Sequence, residues 1–188
     1  MRARNRWSGV RLPTLTALVV LTALGGLAIM TATAGAGNGA SHGSATLTNL
    51  AGDTVGFATF TEDATGTVHV NVKATGLSEG LHGIHVHNTG SCASNFAGAG
   101  SHHNPFVAPN PAPTHGAHAG DLPNLTVNPA GAGRLNTPTG RFTLTQSWST
   151  IFDGNGSALV IHAAQDDLVT DPTGNSGARI ACGIIEEG

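Results

Sequence analysis

The sequence predicts an all-β fold, a sandwich or barrel of about eight short antiparallel strands. Three observations support this prediction. Apolar and polar residues alternate with a period of two, which puts one set in a core and the other in water. Turn-forming Gly, Pro, Asn and Asp separate the alternating segments. The chain has 27 Gly and no Tyr, and its many Gly, Ala, Thr and Val residues favour short strands and turns over long helices.

The strands are predicted from this alternation in chain order. Val68, Val70 and Val72 give the clearest example, because polar residues stand between them. Turns at residues 63–66 and 75–76 join the early strands as hairpins. The predicted strands cover residues 45–50, 55–60, 68–73, 81–87, 125–127, 142–144, 158–162 and 179–185.

Two long segments interrupt the predicted strands. Residues 88–123 are rich in Gly, Pro and His, and residues 163–177 precede the last strand. Irregular loops of this length inside a compact domain are usually functional or disordered. The sequence therefore predicts that these two loops carry the functional site.

The N-terminal segment has the order of a secretory signal. Four arginines, at positions 2, 4, 6 and 11, precede an uncharged apolar stretch over residues 15–30. Small residues at 32–34 then provide a cleavage site. We expect a signal peptide at 1–34, a flexible leader at 35–43 and one domain at 44–188, in a secreted or periplasmic protein. The alternative is an uncleaved membrane anchor, for which the apolar stretch is short; after signal removal we expect no stable membrane insertion.

Charge excludes one class of partner. Signal removal leaves four basic residues, Lys73, Arg134, Arg141 and Arg179, beside 11 acidic residues. An acidic chain this poor in lysine is not expected to bind nucleic acid.

The two cysteines of the chain are Cys92 and Cys182. In an exported protein, a single pair far apart in sequence predicts one disulfide that closes a large loop. The alternative is a pair of buried free thiols.

The placement of the 10 histidines suggests a metal site. His85 and His87 are two residues apart on a predicted strand, so both rings point to the same face. The first long loop adds His102, His103, His115, His118 and Asp121, and His162 ends a later strand. Imidazole binds copper and zinc, and a carboxylate among histidines favours zinc. The alternative is a polar loop that binds metal only loosely.

The ordered motifs resemble those of a known family. They are GLHGIHVH at 80–87, GSC at 90–92, AGSH at 99–102, GDL at 120–122, LVIH at 159–162, DDL at 166–168 and GARIACG at 177–183. From residue 44 to the C-terminus, the chain is similar to the copper/zinc superoxide dismutases.

The resemblance implies a fold and an activity. The fold would be a Greek-key β-sandwich, or flattened eight-stranded barrel, with two long functional loops. The activity would be conversion of superoxide to oxygen and hydrogen peroxide by copper redox cycling, with a zinc-supported bridging histidine, as antioxidant defence outside the cytoplasm. Family members occur as monomers and as dimers, so a homodimer is one expected state.

The resemblance also implies a role for each site residue. Arg179 would attract and orient superoxide, and Asp166 would hydrogen-bond one ligand histidine of each metal. Cys92 and Cys182 would form the disulfide. The copper ligands would be His85, His87, His102 and His162, and the zinc ligands would be His102, His115, His118 and Asp121.

The sequence departs from the family pattern at the zinc site and in the second loop. His115 lies three residues before His118, whereas the family separates these two ligands by a long gap. His115 is still predicted to complete the site by ligand type; the alternatives are His103 and a copper-only enzyme. Residues 163–177 contain three Asp and no Lys or Arg, so anion steering would depend mostly on Arg179.

Two other classes of function remain open. A non-enzymatic metal buffer would have the ligands without an anion receptor such as Arg179 or a supporting carboxylate such as Asp166. A purely structural sandwich would need none of the ligand set.

Overall fold

The structure, a computed structural model, describes residues 41–105 and 118–188. It confirms the predicted all-β fold: the only helical element in the described residues is a short 3-10 turn at Ala97–Ala99. No helix among these residues is long and apolar enough to cross a membrane. The strands are β1 (His42–Asn49), β2 (Thr54–Glu62), β3 (Val68–Ala74), β4 (Gly80–His82), β5 (Ile84–His87), β6 (Leu125–Val127), β7 (Gly133–Thr139), β8 (Ser157–His162) and β9 (Arg179–Glu187).

All nine strands join one antiparallel sheet in the order β4-β6-β7-β3-β2-β1-β9-β8-β5. The last strand, β9, lies beside β1. Strands β4, β6 and β7 lie side by side, and β3, which precedes them in the chain, lies beside β7, which is a Greek-key arrangement. The two edge strands, β4 and β5, are consecutive in the chain and are joined by Gly83 alone. The sheet therefore curls into a nearly closed barrel.

Gly83 explains why the predicted strand at 81–87 is two strands. Its N–H donates to Ala164 O at 2.8 Å, and its carbonyl accepts from His162 N at 2.8 Å. A Cβ at this position would lie 2.7 Å from the Cβ of Ser176. The chain can therefore turn here from pairing with β6 to pairing with β8 only because residue 83 has no side chain.

The barrel core explains which strand faces are apolar. On β5, Ile84 and Val86 belong to the main core, so period-two geometry points the intervening histidines outward. On β8, Leu159 and Ile161 face the same core. The other β8 face is also covered, because Ala158 and Val160 pack with Phe96, Ala99 and Cys182 under the first long loop.

The predicted strand at 142–144 is wrong. These residues form a loop with one isolated bridge, Thr143 to Thr150. Phe142 and Leu144 are nevertheless buried in the main core. The buried carboxylate of Glu62 supports this loop, because it accepts from the N–H groups of Leu144 and Thr145 at 2.7 Å each. Apolar alternation here indicated burial correctly but not strand pairing.

Strand β7 was not predicted from the sequence. Its residues are mostly polar or small, and Pro138 lies within it. The proline is tolerated because β7 pairs with β6 only at Gly133 and Arg134, so the remaining residues have no ladder partner on that side within the described ranges 41–105 and 118–188.

The two ends of the domain meet. β1 begins at His42, two residues before the predicted start of the domain, and Gly188 N donates to His42 O at 3.0 Å. The predicted signal peptide and most of the predicted leader lie outside the described residues.

Candidate metal centre

The outer face of the barrel around β5 and β8 carries one group of histidines. His85 and His87 point outward from β5, and His162 ends the neighbouring strand β8. The first long loop brings His102 to them, because His102 forms a backbone bridge with His87. The structure thus brings together four histidines that the sequence separates by up to 77 positions.

These four histidines form a compact buried cluster. One ring nitrogen of each lies within 4.8 Å of those of the other three, and all four side chains are buried. The ring centroids of His85 and His102 are 4.0 Å apart, and those of His87 and His102 are 4.9 Å apart. Four imidazoles converging at this spacing are a suitable ligand set for copper.

A second cluster shares one histidine with the first. His102, His118 and Asp121 also have candidate ligand atoms within 4.8 Å of one another. His102 Nδ1 lies 2.8 Å from Asp121 Oδ1, and His118 Nδ1 lies 3.3 Å from Asp121 Oδ2. Two imidazoles and a carboxylate suit zinc, and His102 can face both clusters because its ring has two nitrogens.

The first long loop is fixed against β5 by backbone hydrogen bonds. Val86 N donates to Gly120 O at 2.9 Å, and Val86 O accepts from His103 N at 2.8 Å. Gly120 N in turn donates to His103 O at 2.8 Å. A Cβ on Gly120 would lie 2.1 Å from Val86 O, so this close approach requires glycine. These contacts hold His102 and Asp121, the neighbours of His103 and Gly120, at the barrel surface.

Two histidines of the first cluster are oriented by backbone carbonyls. His87 Nδ1 donates to Gly100 O at 3.0 Å, and His162 Nδ1 donates to Gly177 O at 3.1 Å. Within the described residues, the buried Nε2 atoms of both rings have no hydrogen-bond partner. A buried imidazole nitrogen that accepts nothing is costly unless a metal takes that position. The residues present therefore fit a metal at this cluster.

Asp166 contacts His85 on the ring edge that faces away from the first cluster. The side chain of Asp166 is fully buried, and its Oδ2 accepts from His85 Nε2 at 2.6 Å. Its other oxygen accepts from Leu168 N at 2.6 Å. Asn124 holds the Asp166 backbone through hydrogen bonds of 2.8 and 2.9 Å. This arrangement directs Nδ1 of His85 towards the cluster.

Burial keeps three histidines of the first cluster, His85, His87 and His162, uncharged. Desolvation lowers the pKa of His87 to about 2 and the pKa of His162 to about 3. Desolvation also lowers the pKa of His85, although the hydrogen bond to Asp166 opposes this effect. These three rings are therefore neutral near neutral pH, and neutral imidazole is the form that binds a metal.

Arg179 lies beside this cluster at the start of β9. Together with His102 and His162 it lines a cleft of about 470 Å³. Its guanidinium donates to the carbonyls of Phe96 and Gly100, so Gly100 O contacts both Arg179 and His87. Desolvation lowers the pKa of Arg179 from its usual value. A guanidinium held in an open cleft can receive a small anion.

The predicted disulfide between Cys92 and Cys182 is present. It holds the start of a segment with unusual backbone geometry, because Ser94, Asn95 and Phe96 all have positive φ, between 53° and 69°. This left-handed backbone is strained for residues other than glycine. The disulfide thus anchors the segment whose Phe96 carbonyl receives Arg179.

Two predicted zinc ligands remain. His115 lies outside the described residues, so its role stays a prediction. His103, the alternative, belongs to neither cluster of the described residues, and its Nε2 donates to Ser149 O at 3.4 Å. His102 and His103 are adjacent on extended backbone, so their side chains point in opposite directions.

Sequence reasoning missed one acidic residue at the site. Asp171 Oδ1, in the second long loop, lies 3.3 Å from His118 Nε2. No motif marks this residue. The contact depends on how two loops cross, which alternation and spacing do not encode.

Comparisons of this sequence with known proteins point to one family. A family model described as copper/zinc superoxide dismutase (SODC) matches residues 54–185. A Cu-Zn superoxide dismutase of Deinococcus radiodurans is 36% identical over 155 residues, which cover 76% of this chain and 82% of that protein. Cu-Zn superoxide dismutase 2 of Mesembryanthemum crystallinum is 38% identical over 133 residues, covering 67% of this chain and 83% of that protein.

Solved structures agree. The crystal structure of a SOD-like protein from Bacillus subtilis has 36% sequence identity and a TM-score of 0.68, covering 75% of this chain and 96% of that one. The structure of the clock protein EA4 has 31% identity and a TM-score of 0.63, covering 78% of this chain and 94% of that one.

Proposed function

This chain belongs to the copper/zinc superoxide dismutase family, and we propose that it converts superoxide and protons into oxygen and hydrogen peroxide. In this proposal, copper is held by His85, His87, His102 and His162, and zinc is held on the other side of His102. The observation that carries the proposal is the pair of buried clusters that share His102.

The reaction requires one superoxide to lose an electron and a second to gain one. Bound copper would supply this redox chemistry by alternating between its Cu(II) and Cu(I) states. Peroxide formation also requires protons, and His102 is suited to deliver one. Its Nδ1 faces Asp121, so its Nε2 faces the first cluster and can take up and release a proton there.

Arg179 would receive the anion. Its guanidinium stays charged at neutral pH and lies in the same cleft as His102 and His162. The carbonyls of Phe96 and Gly100 orient it, so the remaining donors of the guanidinium are available to superoxide. A metal buffer would have no use for an anion receptor built in this way.

The proposal has two further parts. His115 would provide the third histidine of the zinc site, beside His102 and His118. Residues 1–34 would direct export, and an oxidising compartment would allow the Cys92–Cys182 disulfide to persist.

The first test is metal content with superoxide turnover. We expect the mature protein, saturated with copper and zinc, to bind one equivalent of each and to consume superoxide. Copper with turnover but no zinc would contradict the roles of His115, His118 and Asp121. Metal binding without turnover would replace the enzyme proposal with the metal-buffer alternative.

Arg179→Ala tests the anion receptor. An ionic hydrogen bond contributes about 1.5–3 kcal/mol, so we expect kcat/KM for superoxide to fall by about 10-fold to 100-fold at unchanged copper content. Arg134→Ala, at an exposed position on β7, is the matched control and is expected to retain full activity. Equal kcat/KM for the two variants would contradict the proposed role of Arg179.

A further inference from the structure

His118 lies between two carboxylates from different loops. Its Nδ1 is 3.3 Å from Asp121 Oδ2, within the second cluster. Its Nε2 is 3.3 Å from Asp171 Oδ1, on the opposite edge of the ring. The His118 side chain is only 8% exposed, whereas that of Asp171 is 46% exposed, so Asp171 covers the ring from the solvent side.

Three other clustered histidines have an oxygen at the ring nitrogen that faces away from the cluster. The non-cluster nitrogens of His87 and His162 donate to backbone carbonyls, and that of His85 donates to Asp166. In each case an oxygen on the far side of the ring fixes which nitrogen carries the proton. In the second cluster, the oxygen nearest to Nε2 of His118 is Asp171 Oδ1, at 3.3 Å.

The second loop holds Asp171 in place. The side chain of Asp167 accepts from both Thr170 N and Thr170 Oγ1 at 2.8 Å. The Thr170 carbonyl accepts from Gly174 N at 2.6 Å. Asp171 directly follows Thr170, so these bonds fix the backbone that carries its carboxylate. Fixed backbone is what a positioning residue requires, because it reduces the entropy lost on forming the contact.

We propose that Asp171 is a positioning residue for the zinc ligand His118, in which its carboxylate accepts the Nε2 proton and leaves Nδ1 available to zinc. Carboxylates in this position also make the imidazole a stronger ligand. The second long loop thereby contacts the zinc site through a residue that no sequence motif marks. The inference rests on the proposed function in one respect, that zinc occupies the second cluster.

The test uses Asp171→Ala, with Asp153→Ala as the matched control. Asp153 is exposed and lines the same cleft of about 420 Å³ as Asp171 and His118, so both variants lose one negative charge beside the site. Zinc affinity would be measured by chelator competition in copper-loaded protein. We expect Asp171→Ala to weaken zinc binding by about 10-fold to 100-fold and Asp153→Ala to change it by less than about 3-fold. Equal affinities in the two variants would overturn the proposal.

The protonated nitrogen of His118 provides a readout independent of bound metal. Nitrogen-15 NMR of the metal-free protein should show the Nε2–H form of His118 in the wild type and a mixture of forms in Asp171→Ala. Asp171→Asn keeps an acceptor oxygen and should restore the Nε2–H form. An unchanged form in Asp171→Ala would overturn the proposal even if zinc affinity fell. If wild-type protein bound no zinc, the zinc part of the proposed function would fail, whereas the NMR result would still decide whether Asp171 orients His118.

Discussion

The buried carboxylate of Glu62 illustrates how much depends on single polar residues in this barrel. Glu62 lies on β2 but accepts hydrogen bonds from the backbone of the loop after β7. Leu144 N and Thr145 N donate to the same carboxylate oxygen. Thr145 Oγ1 donates to its other oxygen at 3.0 Å. Glu62 thus replaces the strand partner that this loop lacks.

Removing this carboxylate should destabilise the fold. Glu62→Ala leaves two backbone N–H groups near the core without an acceptor, so we expect the free energy of unfolding to fall by about 2–4 kcal/mol. Glu62→Gln keeps an acceptor oxygen and should cost about 1 kcal/mol. Denaturant unfolding measures both, with Glu79→Ala at an exposed position as the control. A Glu62→Ala variant as stable as this control would contradict the role given to Glu62.

The buried histidines of the first cluster predict how the stability of the fold depends on pH. The pKa values of His87 and His162 are about 2 and about 3 in the folded protein, below the usual value of 6.5. Above pH 6.5 both states are neutral, and the full stability is present. Below it the unfolded chain binds protons that the folded protein does not, so stability is lost as pH falls towards the folded pKa values.

We therefore expect the unfolding free energy of the metal-free protein to decrease below about pH 6.5, by about 1.4 kcal/mol per pH unit for each such histidine. The measurement is denaturant unfolding from pH 7.5 to 4.5. The double variant His87→Gln/His162→Gln should show a shallower dependence. A stability that stayed constant down to pH 4.5 would contradict the neutral buried state.

At the scale of residues, the sequence predicted which side chains come together best where backbone geometry decides side-chain direction. His85 and His87 share a face because β5 is extended. The role of Asp171 could not be predicted, because its distance to His118 depends on the path of two loops that share no regular pattern.

At the scale of elements, Gly83 connects the fold to the metal centre. The two strands it joins pair with opposite ends of the sheet, and its backbone bonds to Ala164 and His162 at the start of the second long loop. A Cβ here would lie 2.7 Å from Ser176 Cβ and 3.3 Å from Asp166 Cβ. Gly83 therefore sets the space in which Asp166 reaches His85.

Gly83→Ala should disturb both stability and copper binding. Overpacking of this kind costs about 1–3 kcal/mol, and displacement of Asp166 should weaken copper affinity by about 10-fold or more. Thermal unfolding and copper competition would measure the two effects. Gly140→Ala is the control, because a Cβ there meets no atom within 4 Å. Copper affinity equal to that of the control would show that Asp166 tolerates the added methyl group.

The elements that were predicted incorrectly share a physical cause. Residues 142–144 have strand-like alternation but pair with no strand in the part of the chain that the structure describes. Thr143 forms one isolated bridge with Thr150, and Leu144 N donates to the Glu62 side chain. β7 has weak alternation and a proline, yet it pairs along its whole length with β3. In both cases the sheet partner, rather than the local sequence, decides the structure.

At the scale of the whole molecule, charge governs the encounter with an anionic substrate. The folded domain has 11 acidic residues and few basic ones, and the loop before Arg179 has no lysine or arginine. Long-range attraction of superoxide should therefore be weak, and local attraction by Arg179 should dominate.

We expect kcat/KM for superoxide to change by less than about 3-fold between about 10 and 200 mM salt. Salt mainly screens long-range attraction between exposed charges and the substrate, and this attraction is weak here. Pulse radiolysis at several ionic strengths would measure this. A steep fall with rising salt would contradict weak steering. Introducing lysine at Val169, an exposed position of the second loop, should create such a fall.

The meeting of the domain's two ends has a consequence for protein engineering. Because Gly188 hydrogen-bonds to His42, a short Gly-rich linker could join the ends across β1 and β9 without crossing the barrel. New ends could then be opened in the exposed hairpin turn between β2 and β3, around Thr65. The domain is therefore well suited to circular permutation, and to insertion as a cassette into a surface loop of another protein.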